Sequence, residues 1–181
     1  MFFIFSTFND DKISMEDLIE KYSKELMKLC YLYLKDYQLA EDAVQDTLIK
    51  IYRKYNTFRK ESNEKTWVTK IAINTCKNYT RKSYYKQEYM EENLELFLKE
   101  DTENLLSYRD EDALNLLNAV YNLPEVYKEV ILLYYYKEYS IKEIAEILRE
   151  KQGTIGVRLK RGRDALKEMV KEEELWKNWK I

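Results

Sequence analysis

An all-α fold of two small helical domains joined by an acidic linker is predicted, and three observations predict it. The 181 residues hold only three glycines and the lone Pro124, too little punctuation for the hairpins of a sheet. Abundant Lys, Glu and Leu leave strong helix formers in their place. Apolar residues also recur at helical spacing through long stretches, and an apolar fraction of 45% is enough to bury a core in one ordinary domain or two small ones.

The opening MFFIFSTF is apolar, but it has no basic flank and is far shorter than a membrane span or a secretory core. It reads as a strand-like or frayed arm, or as a segment packed on the first helix. Met15, Leu18, Ile19, Tyr22, Leu26, Leu29, Cys30 and Tyr33 then predict an amphipathic helix ending near Lys35 and Asp36. A second helix runs from about Leu39 to Tyr55 through Ala40, Val44, Leu48, Ile51 and Tyr52. The polar break NTFRKESNE, residues 56–64, has no regular period. A third helix places Trp67, Val68, Ile71, Ala72, Cys76 and Tyr79 on one face. Three helices sharing one apolar side make a small bundle, so the first domain is taken as residues 1–86.

Residues 87–109 are acidic and weakly periodic, apart from Leu94, Phe97 and Leu98, and are read as a linker. The second domain, 110–181, begins with Ala113, Leu116, Leu117 and Val120. Pro124 sits where a helix's first turn tolerates a missing N–H, and Val126, Tyr127, Val130, Ile131 and Tyr134 continue that helix. SIKE, Ser140 to Glu143, is a capping box that starts the next, with Ile141, Ile144, Ala145 and Leu148 as its stripe. A short break leads to a last helix opening near Thr154. So tight a joint before a basic helix has the spacing of a helix-turn-helix. On the last helix Ile155, Leu159, Gly162, Leu166 and Met169 form the buried stripe, with Gly162 letting helices approach. Gly153 is assigned to the turn, where a positive φ is cheap. Gly156 falls with Lys160, Arg163 and Lys167 on the outward face. There it is either an opening for backbone to approach a ligand or an exposed position of no consequence.

Histidine is absent, which removes the commonest general base, the usual nucleophilic triads and most zinc sites. No glycine pattern fits a phosphate loop and no carboxylate pair has a defined site, so neither catalysis, a cofactor nor a metal is expected. Cys30 and Cys76, far apart in sequence and on apolar faces, read as buried free thiols of a reducing cytosol.

The net charge of −2 conceals sorting along the chain. From Lys50 to Lys86 the charged residues are basic except for Glu61 and Glu64, the stretch from Glu88 to Asp112 is acidic, and a second basic block runs from Arg149 to Lys167. Two cationic surfaces separated by an acidic connector point to two contacts with one polyanion.

LAEDAVQDTLIKIYRKYNTF, KTWVTKIAINTCKNYTRK and LPEVYKEVILLYYYKEYSIKEIAEILREKQGTIGVRLKRGRDAL, in that order, resemble the two domains of an extracytoplasmic-function (ECF) sigma factor of bacterial RNA polymerase. The resemblance covers roughly residues 14–86 and 110–170. It implies a subunit that directs core polymerase to promoters and assists DNA melting, with contacts to the clamp of the largest subunit and to the flap. By matching position, Asp42, Gln45, Asp46 and Ile49 would face the clamp. Phe58, Arg59, Lys60, Ser62 and Asn63 of the loop, and Lys70, Asn74, Lys77, Asn78, Arg81 and Lys82 of the third helix, would recognise the minus-ten element. Trp67 matches too, but its place on the apolar stripe assigns it to packing. Thr154, Gly156, Val157, Arg158, Lys160, Arg161 and Arg163 would meet the minus-thirty-five element. Gly156 and Val157 depart from the polar or basic residues common there in the family. The resemblance also implies a cytoplasmic protein controlled by an anti-sigma factor, with no membrane insertion of its own. A stand-alone helix-turn-helix regulator is the alternative, and a helical adaptor without nucleic acid a third reading.

Overall fold

A computed structural model describes residues 13–58, 63–82 and 111–170, except for the side chains of 82, 111–115 and 117. MFFIFSTF, the linker 87–109 with Leu94, Phe97 and Leu98, and Arg59, Lys60 and Ser62 lie outside those residues. The chain divides into two units, Met1–Tyr85 and Lys86–Ile181. Among the described residues every regular element is helical.

The first unit holds α1 (Met15–Leu34), α2 (Tyr37–Lys54), a 3₁₀ turn (Tyr55–Thr57) and α3 (Glu64–Lys82). A capping box opens α1: the Asp17 N–H donates to Ser14 Oγ at 3.0 Å and the Ser14 N–H to Asp17 Oδ2 at 3.1 Å. These bonds from Ser14 also lower the Asp17 pKa. Two residues turn the chain. Lys35, left-handed at φ 61°, ends α1, and the Asp36 side chain accepts from the Leu39 N–H at 2.9 Å to begin α2. Leu18, Leu29, Ala40, Ala43, Ile51, Ala72 and Cys76 are buried to within 1%. The alanines on α2 and α3 let the helices approach closely, and the leucines fill the space between them. Truncating Leu18 or Leu29 to alanine removes about 2–5 kcal/mol of stability.

Two details of the predicted stripes change. Ile19 is 46% exposed, because one turn of α1 can bury only part of its circumference. On α3 the buried face is broader than its apolar residues: Thr66, Thr69, Ile73 and Thr75 are buried, while Trp67, Ile71 and Tyr79 are half-buried. Thr75 makes this possible by donating its hydroxyl to the Ile71 carbonyl at 2.9 Å.

The second unit holds α4 (Glu111–Asn122), α5 (Glu125–Ile131) continued by a π-helical segment (Leu132–Tyr136), α6 (Ile141–Leu148) and α7 (Gln152–Met169). Pro124 is the N-cap of α5. The wider π segment, closed by the Lys137 N–H on the Leu132 carbonyl at 3.1 Å, was not visible in the apolar periodicity. It keeps Leu132 and Leu133 buried. Ser140 and Glu143 form the expected capping box: the Glu143 N–H donates to Ser140 Oγ at 3.3 Å, and the Ser140 N–H to Glu143 Oε2 at 2.9 Å.

α7 buries Ile155, Leu159, Gly162 and Leu166, as its spacing predicts, but Met169 is 47% exposed at the helix end. A Cβ on Gly162 would lie 3.0 Å from Ile131 Cγ1, so this glycine sets the distance between α5 and α7. Gly153 requires a correction. It lies inside the first turn of α7, and no glycine among the described residues has a positive φ. The turn is instead made by Arg149 at φ 57°, which ends α6, and by extended Lys151, whose carbonyl already accepts from the Ile155 N–H. Three residues are enough, so the helix starts earlier than Thr154.

Candidate nucleic-acid interface

On α7 the residues sort by angle. At 100° per residue, Val157 lies about 160–180° around the helix from Ile155, Leu159 and Leu166. It therefore marks the centre of the solvent face and is 51% exposed. Thr154 and Arg161 share that side, Lys160 flanks it, and Gly156 and Arg163 lie further round towards Lys167. Lys160 and Arg161 are exposed, whereas Thr154, Gly156 and Arg163 are half-buried. Arg158 turns away to Glu150, at 2.9 Å, and braces the turn. Asp164 is exposed on the outer face two turns beyond Val157 and repels phosphate from that end. At the other end no side chain caps the N-terminus of α7, leaving its first N–H groups directed at an incoming anion.

The first unit offers a second cationic face. Lys70, Asn74, Lys77, Asn78 and Arg81 follow one stripe of α3 opposite its buried side, with Asn74, Asn78 and Arg81 exposed. Asn74 donates its amide to the Lys70 carbonyl at 2.7 Å, which fixes that side chain. Lys82 closes α3. At the other end of the helix Phe58 packs on Trp67 with ring centroids 5.0 Å apart, and Tyr55 meets the same indole edge-on at 6.3 Å. Trp67 is thus the floor of an aromatic shelf, half packing and half exposed. Asn63 begins α3: its side-chain oxygen accepts from the Lys65 N–H at 3.0 Å.

The charge network beneath that shelf was missed in the sequence. Glu64 receives Lys21 Nζ at 3.0 Å and the Tyr55 hydroxyl at 2.9 Å, tying α1, the 3₁₀ turn and α3 together. The buried Tyr22 hydroxyl faces the same carboxylate at a geometry too loose for a full hydrogen bond. Burial alone would push Glu64 up, but the Tyr22 hydroxyl that faces it and the bonds from Lys21 and Tyr55 together outweigh burial and hold it below the usual carboxylate value. The only sequence signal was an acid in a helix's first turn.

A third feature is acidic. Asp42, Gln45, Asp46 and Ile49 are all exposed at i, i+3, i+4 and i+7 on α2, and Ile49 is 40% open to solvent. Tyr79 donates to Asp46 Oδ2 at 3.1 Å, and Lys50 stands 4.0 Å away while donating to Thr75. Burial, then the bond to Asp46, pushes the Tyr79 phenol up to about 12. Asp46 is thereby oriented by α3, a pairing that periodicity did not reveal. Beneath it the fully buried thiols of Cys30 and Cys76 are free and meet in the core, where the contact with Cys30 and then burial raise the Cys76 pKa.

A helix-turn-helix with a cationic outer face defines a DNA-binding protein. Residues 18–84 match the Sigma-70 region 2 family and residues 113–166 the Sigma-70, region 4 family. The chain is similar to SigW, an ECF RNA polymerase sigma factor of Bacillus subtilis, at 30% identity over 171 residues, covering 90% of this chain and 91% of SigW. It is likewise 30% identical over 174 residues to the ECF RNA polymerase sigma-E factor of Haemophilus influenzae, covering 88% and 89% of the two chains. Among solved structures, the sigma factor RpoE of Bartonella quintana, in complex with the anti-sigma factor NepR, shares the fold at a TM-score of 0.66 and 23% identity, over 87% of this chain and 97% of that one. The chain belongs to the ECF sigma factors of RNA polymerase. No described helix is long and apolar enough to cross a membrane.

Proposed function

We propose that this sigma factor is a dissociable, non-catalytic specificity subunit whose two cationic faces each hold one promoter element while the α2 stripe docks on core polymerase. The carrying observation is that one chain combines a helix-turn-helix with an exposed acidic stripe, Asp42, Gln45, Asp46 and Ile49, that its own bundle leaves uncovered. DNA binding alone has no use for that stripe. The shelf of Phe58 and Trp67 suits a base pulled from the stack, and Arg59, Lys60, Ser62 and Asn63 of the loop, with Lys70, Asn74, Lys77, Asn78, Arg81 and Lys82, suit the melted minus-ten strand and its phosphates. α7 enters the major groove at the minus-thirty-five element, with its N-terminus and Lys160 on phosphates and Arg161 able to grip a guanine edge. The clamp and flap of the polymerase, a cytoplasmic location and an anti-sigma partner belong to this reading through the family.

The test is reconstitution. Core polymerase given the purified chain should transcribe from promoters recovered by selection. A tight duplex complex of the free chain without promoter-dependent transcription would favour the stand-alone regulator instead.

A further inference from the structure

Val157 has no evident structural reason to be where it is. Diametrically opposite the buried stripe, it contributes nothing to the core, and a β-branched residue on an exposed helix face costs propensity relative to alanine. Among the described residues it is the most exposed large apolar side chain, at 51%. Its surroundings are cationic: Lys160 and Arg161 lie within one turn. It also lines, with Val126 of α5, Thr154 and Arg161, a shallow open groove of about 500 Å³. Val126 is itself 45% exposed. On the other flank of Val157, towards Lys160, a Cβ added to Gly156 would meet nothing within 4 Å, so the backbone there can come close to a ligand.

On the proposed reading that α7 enters the major groove, these facts select a contact. Valine offers a base edge no hydrogen bond. The one apolar group that the major groove presents is the 5-methyl of thymine. We propose that Val157 reads a thymine methyl in the minus-thirty-five element, and that the bare backbone at Gly156 permits the approach. Arg161 on the groove's wall, with Lys160 beside it on the same helix, favours DNA over an apolar protein segment as its occupant. Discrimination at this step then comes from a methyl contact, while Arg161 and Lys160 supply register and affinity. Arg158, held by Glu150, is not the reader.

The experiment uses the full chain with core polymerase on a promoter recovered by selection, with each thymine of the minus-thirty-five element replaced in turn by deoxyuridine. Only the methyl is lost. One position, or two adjacent ones, should weaken binding about fourfold, the effect of burying one such group. With Val157→Ala, which keeps a good helix former on an exposed site, the thymine and deoxyuridine duplexes should bind alike. Equal binding of both duplexes by the unaltered protein at every position, in an element it still selects, overturns the methyl contact and leaves the promoter reading intact. So does an unchanged thymine preference in Val157→Ala, or a Val157→Ala defect confined to polymerase assembly. Failure to select any minus-thirty-five sequence overturns the promoter reading itself.

Discussion

Gly162 and Gly156, six residues apart on α7, carry opposite consequences for the same substitution. Alanine at Gly162 would bring its Cβ to 3.0 Å from Ile131 Cγ1 and 3.3 Å from Cδ1, and Ile131 is 1% exposed, with nowhere to retreat. Overpacking then exceeds the helix-propensity gain, and thermal unfolding should show a net loss of about 1 kcal/mol. Alanine at Gly156, with open space around it, should stabilise by up to about 1 kcal/mol and weaken DNA binding. Glu64 is the other informative residue. Its pKa is held below that of a free glutamate, so the stability it contributes is present above the ordinary carboxylate range and is lost as the pH falls through the lower folded value. Glu64→Gln should cost about 1 kcal/mol at neutral pH, and its unfolding free energy should depend less steeply on pH in the acid range than that of the unaltered chain. That residue's partners could not be read from sequence, because Lys21 and Tyr55 reach it from other helices.

At the scale of elements, what was legible was what is local. The box at Ser140 and Glu143 depends on four consecutive residues, and it starts α6 where the sequence says it should. Ser140→Ala should destabilise the second unit by about 1 kcal/mol in denaturant titration. The stripes of α1, α2 and α7 were legible for the same reason, since 3.6-residue spacing is a local property. Three features were not. The π segment Leu132–Tyr136 adds no break in composition, Arg149 takes the left-handed turn expected of Gly153, and Thr47 and Thr75 become core by donating their hydroxyls to carbonyls of their own helices. Each is decided by backbone hydrogen bonding and by neighbours distant in sequence. Of the candidate site, the α2 stripe and the outer face of α7 followed from spacing. The engagement of Asp46 by Tyr79 and of Arg158 by Glu150 needed the tertiary structure.

For the whole molecule, charge sorted along the chain becomes separate surfaces: cationic faces on α3 and α7, and an acidic stripe with Ile49 on α2. Lys160→Ala with Arg161→Ala should weaken promoter binding at least about tenfold and flatten its salt dependence, because fewer counterions are released. The same change should leave assembly with polymerase intact. The most direct test is the converse: the affinity of core polymerase for Asp42→Asn/Asp46→Asn, measured with the fold verified by circular dichroism. The account predicts a loss of about tenfold or more with duplex binding by the free chain unchanged. Undiminished assembly would contradict it.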